Sequence, residues 1–325
     1  MCQQPGIRAL PVIFYNVSPK WVRRLSLANI IVNVAIVVTG GAVRLTGSGL
    51  GCPSWPNCAP GTFHATPEMG MHGAIEWGNR LFGAIVALVA IVTFVAALLR
   101  KPKRASLVWL TGFIGVAVAV QAFIGAATVG TDLSPWMVSV HFLVSIAILA
   151  AALVAWVRAG EPDGEVRLTV PKPVRSLWWV LVGVTVAVLF VGTLVTGAGP
   201  HAGDKDSPRS GLDTELISQA HADLVFLLVG VTIGLVFTLR VAGAPAAASR
   251  RVWVLIGVIA AQGLIGFVQY FTDLPAPLVG AHLLGAAVLW LTVLWVGVPM
   301  RERLAPSLEV RQRPAAERVT AEATA

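Results

Sequence analysis

The sequence predicts an all-α integral membrane protein: eight transmembrane helices as two tandem four-helix bundles related by internal pseudo-symmetry. Three observations carry that expectation. The chain of 325 residues is 56% hydrophobic and only 12% charged, with mean hydropathy +0.78, a balance that soluble domains of this size do not reach. Its apolar residues fall into eight runs, each of roughly the 20 residues that a helix needs to cross a ~30 Å hydrocarbon core. Finally, Gln121 to Leu143, QAFIGAATVGTDLSPWMVSVHFL, returns at Gln262 to Leu284 as QGLIGFVQYFTDLPAPLVGAHLL. Gln, Ile-Gly, Thr-Asp-Leu and His recur at a constant offset of 141 residues, and a repeat this long is a repeat of architecture.

Taken in order, residues 1–21 read as an N-terminal tail. They lack the charged start, apolar middle and small-residue cleavage site of a removable signal peptide. Lys20, Arg23 and Arg24 lead into the first run, about 22–45, so that helix is expected to be retained as an anchor. It ends in Thr46-Gly-Ser-Gly and a glycine-rich outward loop containing Cys52 and Cys58. The second run, about 74–99, opens on Glu76-Trp-Gly-Asn79-Arg80. The third and fourth, about 105–129 and 134–158, meet at Thr131-Asp-Leu, with His141 just inside the fourth. The fifth, about 175–198, ends in Thr196-Gly-Ala-Gly and so answers the first. The sixth, about 216–240, aligns with the second, placing Ile217 on Ile75 and His221 on Asn79. The seventh and eighth, about 251–271 and 276–299, repeat the Thr-Asp-Leu hairpin and put His282 in the place of His141.

The expected divisions are therefore an N-terminal half, 22–158, a linker, 159–174, a C-terminal half, 175–299, and a tail, 300–325. The tail is polar and Ala/Pro-rich, which predicts disorder or a weak surface helix.

The formal net charge is +8, but its distribution makes it a topology signal and requires no nucleic acid. Of 24 Lys and Arg, 20 fall in the two tails and the even-numbered connections; Arg44, Arg80, Lys205 and Arg209 lie on the other side. The positive-inside rule then predicts a multi-pass protein of the cell (plasma) membrane with both termini cytoplasmic. On that topology Cys52 and Cys58 face an oxidising exterior, which permits a disulfide, whereas Cys2 lies in a reducing compartment. The pair reads either as a loop staple or as a redox-active couple. Two thiols plus His64 would leave a zinc shell incomplete.

Imidazoles in hydrocarbon are costly and face a partner in the bundle interior. For a single histidine an interhelical hydrogen bond, worth about 0.6–2 kcal/mol, is sufficient reason. His221 and His282, however, lie on different helices at similar depth, a placement suited to bis-imidazole ligation of a heme iron. Propionates of such a heme would point outward toward Arg44 and Arg80, whose guanidinium forks match a carboxylate; snorkelling to lipid phosphate is the alternative for either arginine. Glu76 shares a helical face with Asn79. It reads either as an i,i+4 salt bridge to Arg80 or as a carboxylate that moves protons beside a bound group.

The TGSGLGCPSWPNC loop, the Glu76-Trp-Gly-Asn79-Arg80 segment and the paired Thr-Asp-Leu…His hairpins resemble those of the heme A synthase family over roughly residues 22–299. That family pattern is Glu-x-x-His-Arg, so this chain is a variant, of actinobacterial type, with Asn79 at the histidine position. The resemblance implies that His221 and His282 ligate the iron of a heme b cofactor. It also implies that His141 binds the iron of the substrate, heme O, with Glu76 as an essential acid. It implies an oxidoreductase that converts a methyl group of heme O to a formyl group by successive hydroxylations. The partners it implies are a heme O synthase that delivers the substrate, an electron donor and the lipid bilayer; homo-oligomerisation is left open. A di-heme cytochrome exchanging electrons with quinone is the alternative, and Asn79 counts against it because both halves would need complete histidine pairs. A transporter is less suited, since transporter sites lie near the midplane on broken helices, whereas the polar groups here cluster at the outer ends.

Overall fold

The computed structural model describes residues 16–305; Cys2 and most of the C-terminal tail lie outside them. Eight helices are long and apolar enough to cross a membrane, and the chain is a multi-pass membrane protein. They are α1 (Pro19–Leu45), α2 (Gly70–Leu99), α3 (Ala105–Gly130), α4 (Pro135–Gly160), α5 (Lys172–Ala198), α6 (Thr214–Val241), α7 (Ala246–Phe271) and α8 (Ala276–Gly297). Several begin at proline, whose fixed φ and missing N–H suit the first helical turn: α1, α4, α5 and α8 carry it at their first or second position. At α6 the Asp213 carboxylate accepts from the Leu216 N–H at 3.0 Å, a side-chain N-cap.

Each half closes the same cycle of neighbours. α1 packs on α2 and α4, and α3 packs on α2 and α4; correspondingly α5 packs on α6 and α8, and α7 on α6 and α8. α2 and α4 thus stand on one diagonal and α6 and α8 on another. The halves join through α1 and α4 against α8, and α4 against α5. Small residues let the first bundle close: Ala90, Ala117, Ala151, Ala152 and Ala155 form its core with Ile114 and Ile148. The second core is larger, built on Leu181, Leu235, Leu255 and Val293, and takes in Ile146 and Leu149 from α4. Trp290 on α8 donates its indole N–H to the Ile146 carbonyl at 2.7 Å, so the seam between halves is hydrogen-bonded as well as packed.

The two Thr-Asp-Leu turns adopt one conformation. Asp132 and Leu133 have φ of 52° and 62°, and Asp273 and Leu274 have 59° and 55°. Successive left-handed residues reverse the chain after α3 and α7, and the Leu N–H reaches back five residues to a helical carbonyl: Leu133 to Thr128 and Leu274 to Gln269, both at 2.9 Å. A leucine at positive φ costs about 1 kcal/mol or more. The Leu133 side chain offsets that by wedging, 6% exposed, against the positions of Gly49 and Gly203, where a Cβ would collide with it.

At the opposite, basic end, the sequence pattern does not announce a two-stranded antiparallel ribbon of β1 (Val166–Leu168) and β2 (Arg301–Arg303). Arg301 and Arg303 reach Glu161 at 2.7 and 3.5 Å. Asp163 is gripped by Arg100, at 3.1 Å, and by Arg104.

Candidate heme sites

The histidines of the repeat are positioned by the same two contacts. On α4, the His141 carbonyl accepts from Gln121 Nε2 at 2.9 Å; on α8, the His282 carbonyl accepts from Gln262 Nε2 at 3.1 Å. Each ring also lies over a glycine of the neighbouring helix. A Cβ built on Gly125 would stand 3.5 Å from His141 Cε1, and one on Gly266 would stand 3.3 Å from His282 Cε1. His221 on α6 has the same arrangement with α5, where a Cβ on Gly192 would be 3.1 Å from its Cε1. An alanine at Gly192 or Gly266 would press on the ring, whereas one at Gly125 would make only ordinary contact.

His221 and His282 stand on the α6/α8 diagonal. The Nδ1 atom of each is buried without a hydrogen-bond partner. Those nitrogens lie on the glycine side of each ring, which leaves Nε2 as the neutral donor that a bis-imidazole heme would take. No cluster of three or more His, Cys, Asp or Glu suited to a bare metal ion occurs among the described residues. A heme needs none, because the porphyrin supplies four donors and the protein only the axial pair. The residues fit a b-type heme here.

The first half differs on its diagonal. Opposite His141, α2 carries Asn79, whose Oδ1 accepts from Thr39 Oγ1 of α1 at 2.8 Å. One turn earlier Glu76 is 5% exposed and is fully engaged. Its Oε2 accepts from the Cys52 N–H at 2.6 Å, and its Oε1 accepts from Arg80 Nε at 3.1 Å and from Arg80 Nη2. Of the two readings open for Glu76 in the sequence, the i,i+4 salt bridge is present. Arg80 goes further than a simple ion pair: Nη1 donates to the Ser54 carbonyl at 2.7 Å and Nη2 to that of Cys52 at 3.0 Å. Together they form the floor of the loop between α1 and α2, which the Cys52–Cys58 disulfide closes. Both cysteines are 0% exposed.

Arg44, at the end of α1, crosses to the second half. Its Nε donates to the His201 carbonyl and its Nη2 to that of Thr196, the latter at 2.7 Å. His201 in turn touches the Leu274 carbonyl through Nε2 at 2.8 Å, and the Gly49 N–H donates to Gly203 at 2.8 Å. His72 lies in the first turn of α2, its Nδ1 2.9 Å from Ser48 Oγ. It borders an open cleft of about 460 Å³ with Gly47, Leu50, Gly51, Asp204 and Lys205.

The glycines under the histidines are the part of the site easiest to overlook. A signal for two of them exists, since Ile124-Gly125 and Ile265-Gly266 recur in register within the repeat. Thr39 and His201 carry no such signal.

Comparison with known proteins supplies the relationship. The profile of the cytochrome oxidase assembly proteins, COX15-CtaA, matches residues 23–203. The chain belongs to this family. The stretch matched to the cytochrome oxidase assembly proteins runs from α1 through α5 and includes the disulfide, Glu76, Asn79, Arg80 and His141; His221 and His282 follow it. Among relatives, the chain is 27% identical to the heme A synthase of Azorhizobium caulinodans over 82% of its own length and 90% of the relative's. It is 26% identical to that of a Bradyrhizobium species, over 76% and 82% of the two chains. With the heme A synthase of Symbiobacterium thermophilum it shares 29% identity over 55% and 60%.

Proposed function

We propose that the chain is a heme A synthase, an oxidoreductase that takes a methyl group of heme O to a formyl group. The observation that carries this reading is the seating of His141, His221 and His282 each over a glycine of the next helix, in a chain that belongs to the COX15-CtaA family. In carbon terms the methyl becomes an alcohol and then a geminal diol, each step a two-electron oxidation that takes one oxygen atom from an external oxidant, and the diol loses water to leave the aldehyde.

His221 and His282 hold heme b in the C-terminal half, and heme b when bound supplies one-electron storage and transfer. His141 holds the iron of heme O in the N-terminal half. The hydrogen bonds from Gln121 and Gln262 to the histidine carbonyls keep α4 and α8 in register with α3 and α7. Arg44 keeps Nη1 for a propionate, its other two nitrogens being held by backbone carbonyls. Every nitrogen of Arg80 is already hydrogen-bonded, so its part is to hold Glu76 and the loop at the rim. Glu76 is the carboxylate beside the substrate, held by Arg80 and the Cys52 N–H and suited to stabilising positive charge that develops at the oxidised carbon.

The Glu-x-x-Asn-Arg form is a distinct type within the family. The basic end faces the cytoplasm of a plasma membrane, and heme O arrives from a heme O synthase. Heme extraction from membranes in which this chain is produced together with a heme O supplier tests the reading: heme A appears if it is right, and heme B alone would exclude it.

A further inference from the structure

Asn79 stands where the helix diagonal would bring a second imidazole, and its hydrogen bonding decides what it offers instead. The Thr39 hydroxyl lies 2.8 Å from Asn79 Oδ1 and 3.3 Å from the carbonyl of Ile36, so the amide oxygen is its better acceptor. The amide nitrogen has no hydrogen bond among the described residues, although Asn79 is half-buried. Gly83, one turn along the same face, is also half-buried, yet a Cβ built on it would meet nothing within 4 Å. No neighbouring side chain therefore crowds the helix face one turn beyond the amide. Glu76, the other polar group on this face, has both oxygens occupied.

An amide nitrogen has its lone pair delocalised into the carbonyl and is no ligand for iron, whereas its two N–H groups are donors. We propose that Asn79, oriented by Thr39, is the hydrogen-bond donor to an oxygen-containing ligand on the iron face opposite His141, water in the resting protein. Thr39 is a positioning residue, which by capping the amide oxygen presents N–H rather than C=O to the slot. Donors on the open side of a heme determine what binds there and how it is polarised. The inference rests on the heme A synthase reading and deepens its N-terminal site.

Carbon monoxide is a suitable probe, because a donor to its oxygen lowers the C–O stretching frequency and a six-coordinate bis-histidine heme does not take it up. The full-length protein, purified with heme O after production alongside a heme O supplier, is reduced and exposed to carbon monoxide, and the infrared band is recorded. Asn79→Leu is expected to move the band to higher frequency. Thr39→Val, which keeps the amide but frees it to rotate, is expected to split or broaden the band, with retention of the b-type spectrum reporting correct folding. An unmoved band in Asn79→Leu overturns the proposal; if that variant does not fold, an unchanged band in Thr39→Val does so. A wild-type protein that carries heme O but gives no carbonyl band also overturns it, since the face would be closed. Absence of heme O from the purified protein would instead remove the underlying reading.

Discussion

Gly192 lies closer under His221 than either of the other two glycines lies under its histidine, a Cβ there standing 3.1 Å from Cε1 against 3.3 Å at Gly266 and 3.5 Å at Gly125. An imidazole bound to iron on one side cannot retreat freely on the other. Alanine substitution should therefore perturb the heme b spectrum in that order: most in Gly192→Ala, less in Gly266→Ala, and not at all in Gly125→Ala, which touches only the substrate site. Low-temperature optical and electron paramagnetic resonance spectra check the ranking; an equal effect of Gly125→Ala would contradict the assignment of sites to halves.

Loss of either axial histidine is a coarser test of the same assignment. His221→Ala and His282→Ala should each abolish the low-spin b-type absorption. His141→Ala should leave it intact and remove product, and His72→Ala should be mild, because His72 sits in the first turn of α2 beside Ser48. Loss of N-terminal heme binding in His72→Ala as complete as in His141→Ala would instead make His72 an iron ligand.

The loop between α1 and α2 is held twice, by the disulfide and by Arg80. Removing the short Cys52–Cys58 crosslink with paired serine substitutions should cost about 2 kcal/mol while leaving turnover per folded molecule unchanged, since Arg80 still grips the carbonyls of Cys52 and Ser54. Arg80→Ala leaves the buried Glu76 carboxylate without its counter-charge, a class of change that costs about 3–5 kcal/mol. It should lower thermal stability more than the double serine variant. A large loss of turnover in well-folded serine variants would point to a redox-active pair.

Acid should loosen the basic end. Partial burial raises the Asp163 carboxyl, but hydrogen bonds from Arg100 and Arg104, and then their charges, outweigh it and hold the group below the ordinary carboxylate range. A depressed value means the contribution to stability is fully present above the unfolded value, about 3.9, and is lost as pH falls through the folded one. Thermal stability in detergent should therefore decline below about pH 4, and Asp163→Asn should remove that part of the decline. An identical acid profile in the variant would show that the pair contributes nothing there.

Much of the fold is legible because the membrane simplifies the physics. Each span must be apolar over its whole length, so composition alone locates eight helices, with ends that differ from the structure by a few residues as at α2, which begins at Gly70 rather than about 74. The repeat located His141 and His282 with their hairpins, and the histidine–glycine contact was latent in its Ile-Gly. Thr39 was not legible: a threonine in an apolar run satisfies its hydroxyl locally as a rule, as Thr111 does at 2.8 Å on Leu107, and nothing in sequence distinguishes one that reaches another helix. Arg80 illustrates a different limit. Its salt bridge follows from i,i+4 spacing, whereas its backbone acceptors depend on how a proline-containing loop folds back. The β1–β2 ribbon escaped because three-residue strands bonded through their backbones leave no side-chain pattern.

That ribbon has a topological consequence. By pairing Val166 with Arg303 and Leu168 with Arg301, it brings the threshold of the second half to the place where that half finishes. A module whose two ends coincide can be copied head to tail without stretching a connector, and equally could be opened elsewhere and resealed there. A short bridge between residues near 168 and 301 would suffice for a circular permutant of the second half, with its new termini in the loop between α6 and α7.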